Sequence, residues 1–222
     1  MSFLRPKYIT FDCYGTLTNF QMAPLTRELF ADRVPAAQMD QFVKDFAQYR
    51  LDQVMGDWRP YDEILDTALA RVCKRWGVEY RGEGRRYYEA VPTWGPHADV
   101  TAGLAKIADK IPLVILSNAM DEQIMSNVDK LGVPFHKVYT AQQAQAYKPR
   151  LQAFEYLLDN LGCGPEDLLH VSSSFRYDLM SADDMHIKHK AFVARGHEQP
   201  GNTSYRYHQI ADIGGLPALV GL

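Results

Sequence analysis

Three cysteines in 222 residues, Cys13, Cys73 and Cys163, are too widely spaced and odd in number for a disulfide framework, and none has the spacing of a zinc-binding pair. That usage suits a reducing cytoplasm, where structural disulfides are rare. There is no run of eighteen apolar residues, which argues against a membrane-spanning helix. The stretch before the first strand lacks the apolar core of a signal peptide, so a cytoplasmic location is expected. Net charge is only −3 and no block of like charge occurs, so neither nucleic acid nor an anionic membrane is expected as a partner. The three arginines between Arg81 and Arg86 are broken up by Glu83 and two glycines and read as a solvated turn and helix start. Internal repeats and low-complexity segments are absent. The remainder, 46% hydrophobic and 23% charged, is long enough for one well-buried core plus an inserted subdomain.

Periodicity supplies the architecture. Short β-branched and aromatic runs predict strands at 8–11, 113–116, 137–140, 168–171 and 190–193, and helical spacing covers 121–131, 151–161 and 176–185. Strands alternating with helices imply an α/β fold, a Rossmann-like parallel sheet with helices on both faces. From about 22 to 92 the chain reads as mostly helical, with no convincing strand: Phe42, Phe46, Tyr49 and Gln53 mark one helix, and Ile64, Leu65, Ala68, Leu69 and Val72 another. The expected division is a core of residues 1–20 and 93–222 and a helical cap of residues 21–92. The stretch 198–207, rich in Pro, Gly, Asn and Ser, reads as a surface loop.

The first strand ends in Asp12, and Gly15 breaks the strand pattern shortly after. An aspartate at the carboxyl end of a parallel strand lies where open α/β sheets bind ligands. It can act there as a nucleophile, or simply cap the turn, a common task for Asp. Cys13 next to it alternates away into the core, where free cysteine is commonly buried.

The run Phe11, Asp12, Cys13, Tyr14, Gly15, Thr16, Leu17 resembles the first motif of the haloacid dehalogenase superfamily. Three further pieces follow in that family's order: Leu113 to Ser117 and Asn118, then Tyr147, Lys148 and Pro149, then His170 through Ser172, Ser173 and Ser174 to Asp178. The resemblance covers nearly the whole chain and implies a hydrolase with an inserted helical cap that closes over the nucleophile. Phosphatases of the superfamily carry a second aspartate two residues after the nucleophile, to protonate the leaving alcohol. Tyr14 occupies that place here, and a phenol of pKa near 10 is a poor substitute. The sequence is therefore more similar to the dehalogenase branch, which resembles the type II L-2-haloacid enzymes.

That resemblance implies catalytic roles for Asp12 as nucleophile, Lys148 as the cation holding it ionised, and Asp178 as the acid that positions Lys148 and the hydrolytic water. It implies substrate contacts from Tyr14, Thr16, Asn19, Phe20, Lys44, Arg50, Ser117, Asn118 and Ser174, with no metal and no cofactor. The expected substrate is a small 2-substituted carboxylic acid, first of all an (S)-2-haloacid. The alternative is ring opening of a strained cyclic amino acid such as L-azetidine-2-carboxylate, and a small-molecule phosphatase stands third. Relatives commonly dimerise through cap helices, which makes a homodimer the expected assembly to consider. His170 reads as a hydrogen-bonded histidine that does no chemistry, and Asp183 and Asp184 as exposed helix residues.

Three departures from the family pattern stand out. The arginine that cradles a leaving halide aligns with Val43, leaving Lys44 next to it and Arg50 further along the helix. The tyrosine six residues after the motif lysine is Phe154. The asparagine near the last motif is Ser174, in a segment one residue longer. Loss of the arginine is what motivates the ring-opening alternative, with Asn19, Phe20 and Trp58 as a neutral or aromatic lining that a cation could tolerate.

Overall fold

The computed structural model describes residues 4–222. The chain forms two compact units, Phe20–Trp94 and the segment through Asn19 together with Gly95–Leu222.

The larger unit is built on a six-stranded, wholly parallel sheet: β1 Tyr8–Phe11, β2 Leu113–Ser117, β3 Lys137–Thr140, β4 Leu168–Ser172, β5 His189–Val193 and β6 His208–Ile210. Their spatial order is β3-β2-β1-β4-β5-β6, so β1 is central and the direction of winding reverses on either side of it. β2 and β4 are buried at every position, as expected of strands covered on both faces. Alternation divides their side chains. Ile9, Phe11, Leu113, Ile115, Leu169 and Val171 belong to one core, which takes in Val100 and Leu104 of α5 (Val100–Ala105), Ile124 and Val128 of α6 (Asp121–Val128), and Leu216 and Val220 near the C-terminus. Val114, Leu116 and Leu168 pack instead with Phe154 and Leu157 of α8 (Leu151–Leu161), which follows the short α7 (Ala141–Ala144). Phe154 is fully buried. Phe154→Ala should therefore cost about 3–5 kcal/mol in chemical denaturation, the usual cost of emptying such a site; a loss under about 1 kcal/mol would show that the site refills.

Five of the strands lie where hydrophobic periodicity places them. β6 was not foreseen because it is three residues long, and His208 and Gln209 are exposed, leaving Ile210 as its sole apolar anchor. The helix read over 176–185 is a π turn, Phe175–Leu179, running into α9, Met180–Asp184. A π turn carries one residue more than an α turn.

The smaller unit contains α1 Met22–Leu29, α2 Met39–Val54, α3 Tyr61–Trp76 and α4 Gly84–Ala90. α3 buries Ile64, Leu65, Ala68, Leu69 and Val72 along one stripe and ends at Gly77, whose φ of +65° suits a left-handed helix stop. α2 contributes Phe42, which packs on Phe30 at 4.8 Å between ring centroids, and Phe46, which packs on Tyr87 at 5.3 Å. Buried Glu83 is paired with Arg33 at 2.6 Å. Among the described residues no helix is long and apolar enough to cross a membrane.

Candidate active site

Asp12 extends the central ladder by one residue, its N–H donating to the Val171 carbonyl at 3.0 Å. Its side chain therefore emerges at the carboxyl end of β1, between β2 and β4. The chain then turns through Gly15, whose φ of +94° is poorly accessible to other residues. The turn returns the Thr16 hydroxyl to donate to Asp12 Oδ2 at 2.7 Å. Arg195, at the exit of β5, fixes the same turn. Its Nε and Nη2 donate to the Thr16 carbonyl at 3.1 and 2.9 Å, while its other face grips Asp99.

Lys148 arrives from the segment after α7. Asn118, just past β2, clasps its backbone from both sides, accepting from Lys148 N at 2.7 Å and donating to Lys148 O at 2.8 Å. The ammonium then donates to Asp12 Oδ1 at 2.9 Å, Asp178 Oδ1 at 2.7 Å and the Leu116 carbonyl at 2.7 Å. All three of its protons are thereby used. Asp178 sits on the π turn and is fully buried. Its Oδ1 also accepts from His170 Nε2 at 3.0 Å, and its Oδ2 accepts from the Ser172 hydroxyl at 3.0 Å. His170 faces Thr10 in the β1–β4 register, and its Nδ1 lies 2.8 Å from the Thr10 hydroxyl.

Burial and charge compete here. For Asp12 burial dominates and, with Asp178 adding repulsion, raises the carboxyl above its ordinary value despite the pull of Lys148. For Asp178 burial acts in the same direction, but Lys148 and His170 outweigh it and hold the group below the ordinary carboxylate range. Lys148 is pushed down by burial and pulled up further by the two carboxylates, so it stays charged. One cation thus serves two carboxylates, Asp178 held below the ordinary range and Asp12 above it. The neighbouring Cys13 is fully buried, its thiol 3.5 Å from the Thr18 hydroxyl, and burial pushes it up to about 12, which rules it out as a thiolate nucleophile at neutral pH.

These residues do not suit the divalent cation used by phosphatases of the superfamily. Both oxygens of Asp178 and both of Asp12 already accept hydrogen bonds from Lys148, His170, Ser172 and Thr16. Position 14 brings a phenol instead of a third carboxylate. Among the described residues no cluster of three or more His, Cys, Asp or Glu side chains is arranged to hold a metal ion.

The remaining candidate residues fall into groups. Tyr14 is half-buried and donates to Asn127 Oδ1 at 3.0 Å. The Ser117 hydroxyl is buried at the end of β2 with no hydrogen-bond partner among the described residues. Ser174 caps the π turn, accepting from Tyr177 N at 3.2 Å, and it is Ser172 that reaches Asp178. Asn19 is exposed, its N–H donating to the Gly95 carbonyl at 2.9 Å. In the smaller unit, Lys44 lies on the exposed side of α2. Arg50 lies over Phe20 at 5.4 Å and Phe46 at 5.1 Å, and its Nη1 is 3.5 Å from the Tyr61 hydroxyl. The Trp58 indole N–H is buried without a partner among the described residues.

His170 is hydrogen-bonded as the sequence reading has it, but it is fully buried, and its partner Asp178 was not foreseen, although strand parity places His170 and Ser172 on one face. Sequence reasoning also missed the neighbours of the Thr16 turn. Ser173 and His197 stand beside the Thr16 turn. Asp183 is half-buried and not exposed, since it pairs with the buried Lys190 at 2.9 Å.

Comparison with known proteins identifies the family. Residues 6–186 match the model of the haloacid dehalogenase-like hydrolases. Haloacetate dehalogenase H-2 of Moraxella sp. (strain B) is 28% identical over 174 residues, 75% of this chain and 76% of that protein. (S)-2-haloacid dehalogenase 4A of Burkholderia cepacia is 27% identical over 181 residues, 78% of this chain and 76% of that protein. The structure of L-2-haloacid dehalogenase from Xanthobacter autotrophicus with chloropropionic acid covalently bound superposes with a TM-score of 0.75 at 21% identity, covering 97% of this chain and 98% of that one. With a family match spanning most of its length, this chain belongs to the haloacid dehalogenase-like hydrolases and is an enzyme of that superfamily.

Proposed function

We propose that the protein is a 2-haloacid dehalogenase acting on the (S) enantiomers of small acids through an ester on Asp12. The observation that carries this reading is the Lys148 ammonium held between Asp12 and Asp178, with no second acid at position 14. A carboxylate kept ionised by a buried cation can attack carbon, and a departing halide needs no proton. In the first step an Asp12 oxygen forms a bond to the α-carbon, the carbon–halogen bond breaks with its electron pair leaving on halide, and the centre inverts. In the second step water adds to the Asp12 carboxyl carbon, the acyl–oxygen bond breaks, and a 2-hydroxy acid leaves. Asp178 and Lys148 orient that water, and the ionised Asp178 takes up its proton and returns it to the departing oxygen of the 2-hydroxy acid.

Thr16, Ser117, Asn118 and Ser174 hold the substrate carboxylate and the intermediate. The unpartnered Ser117 hydroxyl supports that role, because a buried polar atom without a partner is costly unless a ligand supplies one. Tyr14, Asn19, Phe20, Lys44 and Arg50 complete the substrate contacts, with Arg50 the preferred halide contact over the more hydrated Lys44. The covalently bound chloropropionic acid of the Xanthobacter relative is consistent with such an ester. Val43, where a halide-cradling arginine would stand, keeps ring opening of L-azetidine-2-carboxylate as the second reading.

Product formation from L-2-chloropropionate and L-azetidine-2-carboxylate, assayed in parallel with excess chelator, tests the proposal. Chloride and lactate release undiminished by chelator is expected. Ring opening without chloride release would replace the halide reading with the second one. Activity abolished by chelator and restored by magnesium would defeat the metal-free mechanism.

A further inference from the structure

His197 lies in the segment between β5 and β6, with its Nε2 3.2 Å from the Ser173 hydroxyl. The Ser173 hydroxyl is 3.0 Å from Thr16 Oγ1, and Thr16 donates to Asp12 Oδ2 at 2.7 Å. The His197 ring packs against the turn at Gly15, about where a side chain there would point: Cε1 and Nε2 would each be 3.5 Å from its Cβ. We propose that His197 is a positioning residue for the reaction, anchoring a one-way chain of hydrogen bonds that runs through Ser173 and Thr16 to Asp12. The proposal rests on the reading of Asp12 as the nucleophile.

The direction of the chain follows from valence. An ionised carboxylate only accepts, so the Thr16 proton points at Asp12. Thr16 Oγ1 is left with lone pairs, which meet Ser173 N–H at 2.9 Å and the Ser173 hydroxyl at 3.0 Å. The Ser173 proton is then committed to Thr16, and its oxygen can only accept from His197. His197 must therefore carry a proton on Nε2, as either the neutral tautomer or the cation. Reversing any link would set two lone pairs against each other. Each donor polarises the next, so the whole chain acts on the charge and rotation of Asp12.

The charged and titratable groups around His197 are Glu198 on its own segment, Asp12 from the end of β1, Arg195 at the exit of β5, and His97. His197 is exposed to solvent on its outer side, yet the partial loss of water around its ring lowers its pKa, which favours the neutral ring at neutral pH.

Two substitutions separate positioning from mere structure. His197→Ala should lower kcat by roughly 5- to 10-fold with KM within about 2-fold, and raise the acid limb of kcat/KM by about half to one pH unit, the effect of one lost neutral hydrogen bond. His197→Gln, whose amide N–H can donate to Ser173, should restore most of both. An unmoved acid limb in His197→Ala, or a Gln variant as impaired as the Ala variant, would overturn the proposal. The tautomer can be read without substrate from the ¹⁵N-histidine spectrum, assigned by difference with His197→Gln. A resting Nε2–H is expected, and a resting Nδ1–H would overturn the chain. An Nε2–H spectrum from a protein inert toward 2-haloacids would defeat the proposed substrate and leave the chain standing.

Discussion

If Asp12 is the nucleophile, as proposed, Asp12→Asn should remove turnover by at least about 10⁴-fold, because a nucleophile contributes to both chemical steps. The same substitution makes the protein more stable at neutral pH. Burial and Asp178 raise the Asp12 carboxyl above its ordinary value of 3.8, so the folded state holds its proton to a higher pH than the unfolded chain does. That preference stabilises the fold at low pH and is lost as pH rises through the raised folded value; above it the ionised group is a burden. A neutral amide of the same shape removes the burden, at the loss of one of the two bonds that Thr16 and Lys148 donate to the carboxylate's separate oxygens. The melting temperature of Asp12→Asn at pH 7.5 should therefore exceed that of the wild type by about 2–4 °C, the shift expected for ~1 kcal/mol in a chain of this size. At pH 3 the difference should shrink. A variant melting below the wild type at both pH values would show that Lys148 pairing outweighs the desolvation of Asp12.

Lys148→Met has the opposite consequence for stability. It leaves two buried carboxylates facing each other without their shared cation, and should destabilise the fold by about 3–5 kcal/mol. Activity should fall at least ~10³-fold, since the nucleophile is then held protonated over a wider pH range. The wild-type pH dependence has a matching sign. The raised Lys148 value contributes stability present below 10.5 and lost as pH rises through the folded value, while the lowered Asp178 value contributes stability present above 3.8 and lost as pH falls through it. Adding Asp178→Asn to Lys148→Met should recover part of the lost stability without recovering activity. Urea denaturation of the two single variants and the double measures that coupling; strictly additive losses would mean the two side chains do not share an interaction.

The parts of the site legible from sequence are those where a strand delivers the residue. Asp12 terminates a strand whose β-branched and aromatic run is unambiguous, and Lys148 and Asp178 come in a recognisable order behind Leu113–Ser117 and Leu168–Ser172. The hydroxyl choice was less legible. Ser172, Ser173 and Ser174 are adjacent in sequence but diverge in space: Ser172 reaches Asp178, Ser173 reaches Thr16 and His197, and Ser174 caps the π turn. Which one meets the acid depends on that turn, and a π turn has no sequence period of its own. The segment after β5 was the least legible. It is a surface loop, as its polar composition reads, but its anchors were not foreseen: Glu198 accepts from the N–H groups of Phe175 and Arg176, and Tyr207 packs on Phe175 at 4.8 Å. A few long-range contacts of that kind hold His197 beside the Thr16 turn, and no local pattern announces them. The same holds for Arg195, whose two partners, Thr16 and Asp99, are 179 and 96 residues away.

The aspartyl ester is the centre of this account, and a single turnover in H₂¹⁸O with enzyme in excess over L-2-chloropropionate addresses it directly. If Asp12 attacks carbon and water attacks Asp12, the lactate formed carries an ordinary oxygen from the protein, and the peptide containing Asp12 gains about 2 Da, the mass difference of one ¹⁸O for ¹⁶O exchange in the ester hydrolysis. Heavy oxygen in the first-turnover lactate with an unlabelled Asp12 peptide would mean that water attacks the substrate directly, and Asp12 would not be the nucleophile.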